Sequence, residues 1–456
     1  MTVADSTARR LLVHLARAQA GGRLPSVTAG VVRDGELVWS GTYGGPPVPG
    51  HDPTDVQHRI GSITKTLTGV LVLQLVRDGR VELDAPVSVV LGDVPYGDRT
   101  ARQLLAHASG IAAEPAGEWW ERSDGMSFDE LVAAHASAPA VTAPGSRFHY
   151  SNLGYALLGE LVARVHGRSW ADCVASLVLE PLGMARTSYL PTGPAASGWS
   201  VDPYTRELVA EPATDTRALA PAGQLWSTVA DLAAYAAFLV DGHLDVLDAS
   251  WLATASTTQS GSAGDALASA HGLGLQLLRG GSGTLVGHGG SMPGFLAACF
   301  VDRPRRTGAV VMAPATTGFS PSELARVLLE ELEACEPTLP LPWVPTTSVP
   351  LELDGVLGTW HWGNTPFVLA LEGGSRGPGG SGHGEVVATG PGGAEKWRFA
   401  VVDGRVVGTR GYHHGEELHV VRRPDGSVSH LEVATFVLTR TPYDPDAPAP
   451  GGHPGR

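Results

Sequence analysis

The hydrophobic pattern of the first 335 residues predicts strands at both ends and helices between them. Two β-like runs flank Asp34-Gly35 within Ser26–Gly45, and an aspartate–glycine pair in that setting is a strong β-hairpin signal. Segments of helical periodicity fill most of Ser62–Val240, strands return after Gly272, and a last helix ends near Cys335. This order predicts an α/β (α+β) fold in which one antiparallel sheet is flanked by helices and interrupted by a helical subdomain.

A change in composition near residue 336 predicts a second domain. The segment Glu336–Pro350 contains five prolines, which is typical of a semi-rigid connector. Beyond it, short β-like runs separated by turn signals continue to Pro442 and indicate a small barrel or sandwich. We therefore predict domains at 1–335 and 351–442, a linker at 336–350 and a flexible tail at 443–456.

One charged residue interrupts a long apolar run, "RIGSITKTLTGVLVLQLV" (Arg59–Val76). Lys65 is the only charged residue between Arg59 and Arg77, and the residues after it are mostly apolar or small. A buried ammonium group is costly unless it is paired or becomes neutral. Lys65 is therefore either a side chain that reaches the surface or a participant in the chemistry.

The charge and composition of the chain argue against several classes of function. The formal net charge is −14 without any basic block, so we expect no nucleic-acid partner and no membrane surface as partner. The three cysteines lie far apart without a CxxC spacing, and no other motif for metal or cofactor binding occurs, so we expect neither a metal nor a cofactor.

The N-terminal segment lacks the continuous apolar region of a secretory signal, and no stretch is apolar and long enough to span a bilayer. With Met1 as the start of the protein, these features predict a cytoplasmic location.

Ser62 and Lys65 have the i, i+3 spacing that brings two side chains to one face of a helix. At a helix N-terminus, Ser62 would lie where the helix dipole favours an oxyanion, and a desolvated neutral Lys65 could accept the serine proton. The ordinary explanation, that Ser62 caps a helix and Lys65 extends to solvent, is preferable for this pair taken alone.

Two other short motifs have candidate roles. Tyr150 and Asn152, in "HYSNLGYALLGE", stand where a loop becomes a helix; the tyrosine could be a general base if cations lower its pKa, and the asparagine could donate to a substrate carbonyl. Taken alone, a half-buried tyrosine and a capping asparagine are the better explanation.

In "LVGHGGSMPGF", the glycines that follow His288 allow the backbone to approach a ligand. The amide of Ser291 could then contribute to an oxyanion hole. A glycine turn with a surface histidine is the structural alternative.

The three motifs together, in this order, resemble the serine β-lactamase and penicillin-binding-protein superfamily, in its class C-like esterase and peptidase branch. The resemblance extends over roughly Arg9–Cys335. It rests also on the surrounding segments, which are "IGSITKTLTGVL", "LLAHASGI", "PGSRFHYSNLGYALLGELV", "PLGM", "PAGQLWSTVADLAAY" and "GHGGSMPGF". It implies the β-lactamase/DD-peptidase-like fold, with an antiparallel sheet flanked by helices and an all-helical subdomain.

The resemblance implies catalytic roles for three residues. Ser62 would be the nucleophile and Lys65 its activating partner. Tyr150 would be the general acid/base that also protonates the leaving group. The reaction would pass through an acyl-enzyme on Ser62.

The resemblance also implies how a substrate would be held. Asn152 would position it, His288 would stand where many relatives have lysine, and Gly290 would let the backbone come close to it. The backbone amides of Ser62 and Ser291 would form the oxyanion hole.

Two departures from the family argue against antibiotic hydrolysis as the main activity. His288-Gly289-Gly290 replaces the Lys-Thr-Gly of β-lactamases of this type, so the permanent cation and the hydroxyl that bind a β-lactam carboxylate are missing. An export signal is also missing, although β-lactamases work outside the membrane. An ester, amide or thioester met in the cytoplasm fits these departures better.

The second domain resembles the lipocalin-like appendage of some members of this branch. Gly358–Trp360 is similar to the first-strand Gly-x-Trp of lipocalins, and Arg440 would be the late arginine that packs on the tryptophan. In the functional alternative, Arg440 or Trp362 reaches over the active site and binds a substrate carboxylate.

Three functions follow as hypotheses. The first is a serine-active acyl hydrolase or acyltransferase acting on an ester or a D-amino-acid-containing peptide. The second is a penicillin-binding-protein-type thioesterase that releases or macrocyclises nonribosomal peptides, with a carrier-protein-bound substrate as a possible partner. The third is a non-catalytic binding or sensor protein, against which the presence of Ser62, Lys65 and Tyr150 together argues.

Overall fold

The computed structural model describes residues 2–262, 268–281, 283–339, 342–343, 345, 348–373 and 384–442. The chain divides into two compact units, Met1–Thr338 and Leu339–Arg456, and the division falls inside the proline-rich segment. The tail predicted at 443–456 lies outside the described residues. In the part of the chain that the structure describes, no helix combines the length and the apolar character needed to cross a membrane.

A large antiparallel sheet forms the centre of the first unit. The strands of this unit are β1 (Ser26–Arg33), β2 (Glu36–Gly44), β3 (His58–Arg59), β4 (Trp199–Val201), β5 (Leu208–Ala210), β6 (Trp226–Ser227), β7 (Gly242–His243), β8 (Leu247–Asp248), β9 (Ser260–Gly261), β10 (Ser269–His271), β11 (Gln276–Arg279), β12 (Thr284–Met292), β13 (Phe295–Asp302) and β14 (Thr307–Ala313). Eight of them pair in the order β2-β1-β14-β13-β12-β11-β10-β9, and the others form two-stranded pairs. The predicted hairpin at Asp34-Gly35 is confirmed as the β1–β2 connection.

Helices cover both faces of this sheet. They are α1 (Asp5–Gly22), α2 (Thr64–Arg77), α3 (Ser88–Leu91), α4 (Ala101–Leu105), α5 (Phe128–His135), α6 (Leu153–His166), α7 (Trp170–Val174), α8 (Ala220–Gly223), α9 (Val229–Asp241), α10 (Ala249–Ala255) and α11 (Pro321–Cys335). On β13, Ala298 and Phe300 pack with α1 and α11, whereas Ala297 and Cys299 belong to the core that contains α9. Because successive residues of a strand point to opposite faces, β13 is buried along its whole length and is apolar throughout except at Asp302.

The predicted helix near Ser62 lies inside the larger core. A 3₁₀ turn, Gly61–Ile63, leads directly into α2, and every residue of α2 from Thr64 to Leu75 is buried. The helix packs on α6 and α8. Lys65 therefore does not reach the surface, which removes the ordinary explanation of this residue.

Short antiparallel strands build the second unit. They are β15 (Gly358–Trp362), β16 (Thr365–Glu372), β17 (Glu385–Thr389), β18 (Glu395–Val402), β19 (Arg405–Gly411), β20 (Leu418–Arg422), β21 (Val428–Val433) and β22 (Phe436–Leu438). The first five form one sheet in chain order and the last three form another. Single bridges connect Val407 to Glu417 and His361 to Thr439, and the lipocalin-like barrel stays a prediction.

Trp360 is the centre of the second core. Its side chain is fully buried, and its indole Nε1 donates to the carbonyl of Val356 over 2.6 Å. The guanidinium carbon of Arg440 lies 3.7 Å from the ring centroid, and the same group donates to the carbonyls of Gly355, Leu357 and Thr359. These contacts favour the structural role of Arg440 over a role in binding substrate.

Truncation of this tryptophan tests how much the second core depends on it. Trp360→Ala removes a fully buried ring, so we expect the free energy of unfolding of the second unit to fall by about 3–5 kcal/mol in a chemical-denaturation experiment. Trp343→Ala is the matched control: Trp343 is 85% exposed, and its loss should change stability by no more than about 0.5 kcal/mol. Equal effects of the two substitutions would contradict the central position of Trp360.

Candidate active site

The amine of Lys65 lies at the centre of a compact polar cluster at the start of α2. Its Nζ is 3.0 Å from Ser62 Oγ, 2.6 Å from Asn152 Oδ1 and 2.7 Å from the carbonyl oxygen of Ala222. The side chain is fully buried. Three segments that are remote in sequence, those of Ser62 and Lys65, of Asn152 and of Ala222, thus meet at one nitrogen.

These contacts match a neutral amine. Burial lowers the pKa of Lys65 from about 10.5 to about 7, while the charges of Glu114 and Glu121 act in the opposite direction. A neutral amine has two hydrogens and one lone pair. The oxygens of Asn152 and Ala222 can only accept, so they take the two hydrogens, and the lone pair remains for the Ser62 hydroxyl. Lys65 is therefore placed to receive the serine proton.

Tyr150 lies beside the same serine. Ser62 lies close enough to its hydroxyl to lower its pKa in part, and Lys65 Nζ lies 5.0 Å from the centroid of its ring. Burial raises the pKa of Tyr150 well above its ordinary value, and the charge of Glu114 adds to that rise. The condition under which Tyr150 could be a general base, a pKa lowered by nearby cations, is therefore not met, because burial outweighs the other influences on this hydroxyl. Tyr150 is a phenol here and is suited to donate a proton.

Asn152 is held by a residue that the sequence analysis did not identify. Its amide nitrogen donates to both carboxylate oxygens of Glu114, over 2.8 and 3.0 Å, which directs Oδ1 towards Lys65. Glu114 also accepts from the indole of Trp120. The side-chain amide of Asn152 is therefore hydrogen-bonded to Lys65 and Glu114, and its nitrogen is not free to donate to a substrate carbonyl.

Two glycines allow strand β12 to pack closely against the 3₁₀ turn Gly61–Ile63, which contains Ser62. A Cβ atom on Gly290 would lie 1.9 Å from the carbonyl oxygen of Ile60, and one on Gly61 would lie 2.5 Å from the backbone nitrogen of Ser291. Gly61 also has a φ of 52°, in the left-handed region that favours glycine. The amide of Ser291 can approach Ser62 because neither position carries a side chain.

His288 lies in β12 near Tyr150, with the two ring centroids 6.1 Å apart. Burial lowers the pKa of His288 to about 3, so the imidazole is neutral and offers no fixed positive charge. Two further buried histidines, His107 and His271, surround the same tyrosine. They lie in "LLAHASGI" and "SAHGLGL", whose sequences gave no sign that they would meet.

The first unit thus contains Ser62, Lys65, Tyr150, Asn152 and His288 in one cluster. Arg440 belongs to the second unit, where it packs on Trp360. Glu114 and the carbonyl of Ala222 were missed because their contacts join segments far apart in the chain. Only the recurrence of "PAGQLW" in the family pattern pointed towards the segment of Ala222.

Two stretches of the chain match families of known proteins. Residues 12–333 match the beta-lactamase family, and residues 349–440 match a domain of unknown function, DUF7586. Esterase EstB of Burkholderia gladioli is 34% identical over 213 residues, which cover 42% of this chain and 54% of EstB. The chain spans about half the length of the curated relatives it matches.

Two solved structures are similar in fold. A D-stereospecific amidohydrolase from Streptomyces sp. has a TM-score of 0.60 at 27% identity and covers 72% of this chain and 98% of its own. SurE, solved with D-Leu, has a TM-score of 0.58 at 25% identity and covers 96% of this chain and 100% of its own. The family match spans well over half of the sequence, and the chain therefore belongs to the beta-lactamase family, with a domain of unknown function following the beta-lactamase region.

Proposed function

We propose that this protein is a serine hydrolase that forms an acyl-enzyme on Ser62 and acts on esters or amides of D-amino acids and of peptides containing them. The observation that carries the proposal is the buried amine of Lys65, 3.0 Å from Ser62 Oγ, with a pKa of about 7. The esterase and the D-stereospecific amidohydrolase among the similar proteins support this substrate class.

In the acylation step, Ser62 Oγ attacks the substrate carbonyl and its proton passes to the neutral amine of Lys65. The negative charge that develops on the carbonyl oxygen is stabilised by the backbone amides of Ser62 and Ser291. When the bond to the leaving group breaks, the phenol of Tyr150 supplies the proton that this group needs. The ammonium of Lys65 then reprotonates Tyr150 through a solvent molecule. In deacylation, water attacks the acyl carbonyl and gives a proton to the neutral amine of Lys65, which returns it to Ser62 Oγ as the acid leaves.

The negative charge of Glu114 would select the charge of the substrate group that lies next to the reacting carbonyl. Glu114 is exposed, yet it is joined to Lys65 through Asn152. A negative charge that is linked to the nucleophile through Asn152 and Lys65 favours a positively charged substrate group and disfavours an anionic one. We therefore propose that the preferred acyl group carries a free α-ammonium.

Replacement of Lys65 tests the catalytic proposal. Lys65→Met keeps most of the side-chain volume but removes the proton acceptor, so we expect labelling of Ser62 by a fluorophosphonate to slow at least about 100-fold, measured by intact-protein mass spectrometry. The control is Lys396→Met, because Lys396 is the chain's other lysine and is exposed. Circular dichroism spectra should be the same for both variants and the wild type.

Other outcomes of this experiment separate the competing functions. Labelling of Lys65→Met at the wild-type rate would overturn the role of Lys65, and no adduct on wild-type Ser62 with any probe would leave a binding or sensor protein. With a labelled enzyme, cyclic product from a peptidyl thioester would instead assign the thioesterase function and a carrier-bound substrate. Turnover of D-amino-acid esters and amides alone supports the hydrolase.

The pH dependence of acylation follows from the lowered pKa of Lys65. Only the neutral amine can accept the Ser62 proton, and the pKa is about 7. The rate of Ser62 labelling should therefore be low well below pH 7, rise through pH 7 and level off above it. A rate that stays constant between pH 5.5 and 8.5 would contradict a base of this pKa.

Glu114→Gln tests the ammonium subsite. The substitution removes the charge but keeps an oxygen for Asn152, so we expect KM to rise about tenfold for D-amino-acid amides with a free amine and to stay unchanged for their N-acetyl forms. Because the Glu114 charge raises the pKa of Lys65, its loss should also move the midpoint of the pH profile to lower pH.

The control for this substitution is Glu118→Gln, since Glu118 is an exposed carboxylate on the same loop. It should leave KM for both substrate forms unchanged. If Glu114→Gln raised KM equally for the free and the acetylated amine, Glu114 would have only its structural role towards Asn152.

A further inference from the structure

Three buried histidines converge beside the proposed catalytic tyrosine. His107 follows α4, His271 ends β10 and His288 lies in β12, and none is more than 5% exposed. A ring nitrogen of each lies within 4.8 Å of a ring nitrogen of the other two. They come from three separate segments of the chain, and the hydrolytic mechanism uses none of their ring nitrogens.

Several of these nitrogens have no hydrogen-bond partner among the described residues. They are Nε2 of His107, Nε2 of His288 and both ring nitrogens of His271. A buried polar atom without a partner is unusual, because it loses its bonds to water and gains nothing in return. Four such atoms in one place indicate a site built for an occupant.

The remaining hydrogen bonds fix where two of the protons lie. Nδ1 of His288 is 2.5 Å from the carbonyl oxygen of Gly289, which can only accept, so the proton is on Nδ1 and Nε2 has a free lone pair. This is the usual state of a histidine that binds a metal, with its second nitrogen donating to a carbonyl. Nδ1 of His107 accepts from the amide of Ser151 over 3.1 Å, so its proton is on Nε2.

We propose that His271 and His288 bind a divalent transition-metal ion of the zinc type, and that the Nε2–H of His107 donates to a water or anion that the ion carries. Neutral imidazole is a preferred ligand of zinc. Zinc–nitrogen bonds of about 2.0–2.1 Å place tetrahedral ligands about 3.4 Å apart. The ligand nitrogens of His271 and His288 lie no more than 4.8 Å apart. They therefore need to approach each other by at most about 1.4 Å to bind one ion.

The position of the site gives the ion a consequence for the enzyme. The ring of Tyr150 stacks on His107 at 4.0 Å, and its centroid lies 6.0 Å from that of His271. An ion here would lie against the ring of Tyr150 and occupy the side of the cleft that β12 lines, where it would obstruct the substrate and the proton transfer from Tyr150. Bound zinc should therefore inhibit acylation. This inhibition rests on the proposed function, whereas zinc binding does not depend on it.

The test uses the full chain without an affinity tag, titrated with Zn²⁺ by isothermal calorimetry. We expect one ion per chain for the wild type and an affinity at least tenfold lower for His271→Phe, which keeps an aromatic ring next to Phe148. His51→Phe is the matched control, because His51 is an exposed histidine and its loss should leave the affinity unchanged. Zinc should also slow fluorophosphonate labelling of the wild type and not of His271→Phe.

Three results would overturn the site: no saturable binding of Zn²⁺, a binding affinity that His271→Phe does not change, or an equal loss in both variants. Circular dichroism and thermal unfolding of His271→Phe establish that it is folded; should it unfold, His271→Asn replaces it with the same expectation. Binding without inhibition would keep the metal site and count against the catalytic position of Tyr150. The two proposals therefore fail separately.

Discussion

A single buried amine with a pKa of about 7, held inside the first core, is the feature on which the rest of the site depends. The environment of Lys65 offers it two oxygens that only accept and one hydroxyl that can also donate. An ammonium ion would require all three groups to accept and would be separated from water by the apolar residues of α2. The neutral form satisfies every partner, and the direction of the Ser62 hydroxyl follows from it.

The same burial sets the protonation of the neighbouring groups. It raises the pKa of Tyr150 and lowers the pKa of His288, so an acid stays protonated and a base stays unprotonated around the serine. Tyr150 and His288 are then neutral in the resting enzyme, and above pH 7 Lys65 is mostly neutral too. In the proposed mechanism, charge would develop when Ser62 loses its proton to Lys65, at the moment when the oxyanion also forms nearby.

The sequence predicted the parts of this arrangement that are local or that follow the family pattern. The i, i+3 spacing of Ser62 and Lys65 was sufficient to bring them to one face, and the hairpin at Asp34-Gly35 follows from turn chemistry. The pairing of Arg440 with Trp360 was expected from the Gly-x-Trp resemblance. Glu114, the carbonyl of Ala222 and the meeting of three histidines could not be predicted, because each is a contact between distant segments that only the folded chain creates. The pKa of Tyr150 could not be predicted for a related reason: it depends on how much water the fold excludes, and the residue's neighbours in sequence do not determine that.

The electrostatics around Ser62 bear on the substrate that the proposed function assigns. Relatives with a lysine at the position of His288 have a fixed cation there, whereas this imidazole is buried and neutral. Glu114 adds a negative charge that acts on Lys65. An anionic substrate would therefore meet repulsion from the carboxylate without compensation from β12. A cationic substrate would be attracted by the carboxylate of Glu114. Its positive charge would also cancel part of the negative potential that stabilises the proton on Lys65. Binding of such a substrate would thus lower the pKa of Lys65 and increase the fraction of neutral amine, so recognition and activation of Ser62 would be coupled through the one charge on Glu114.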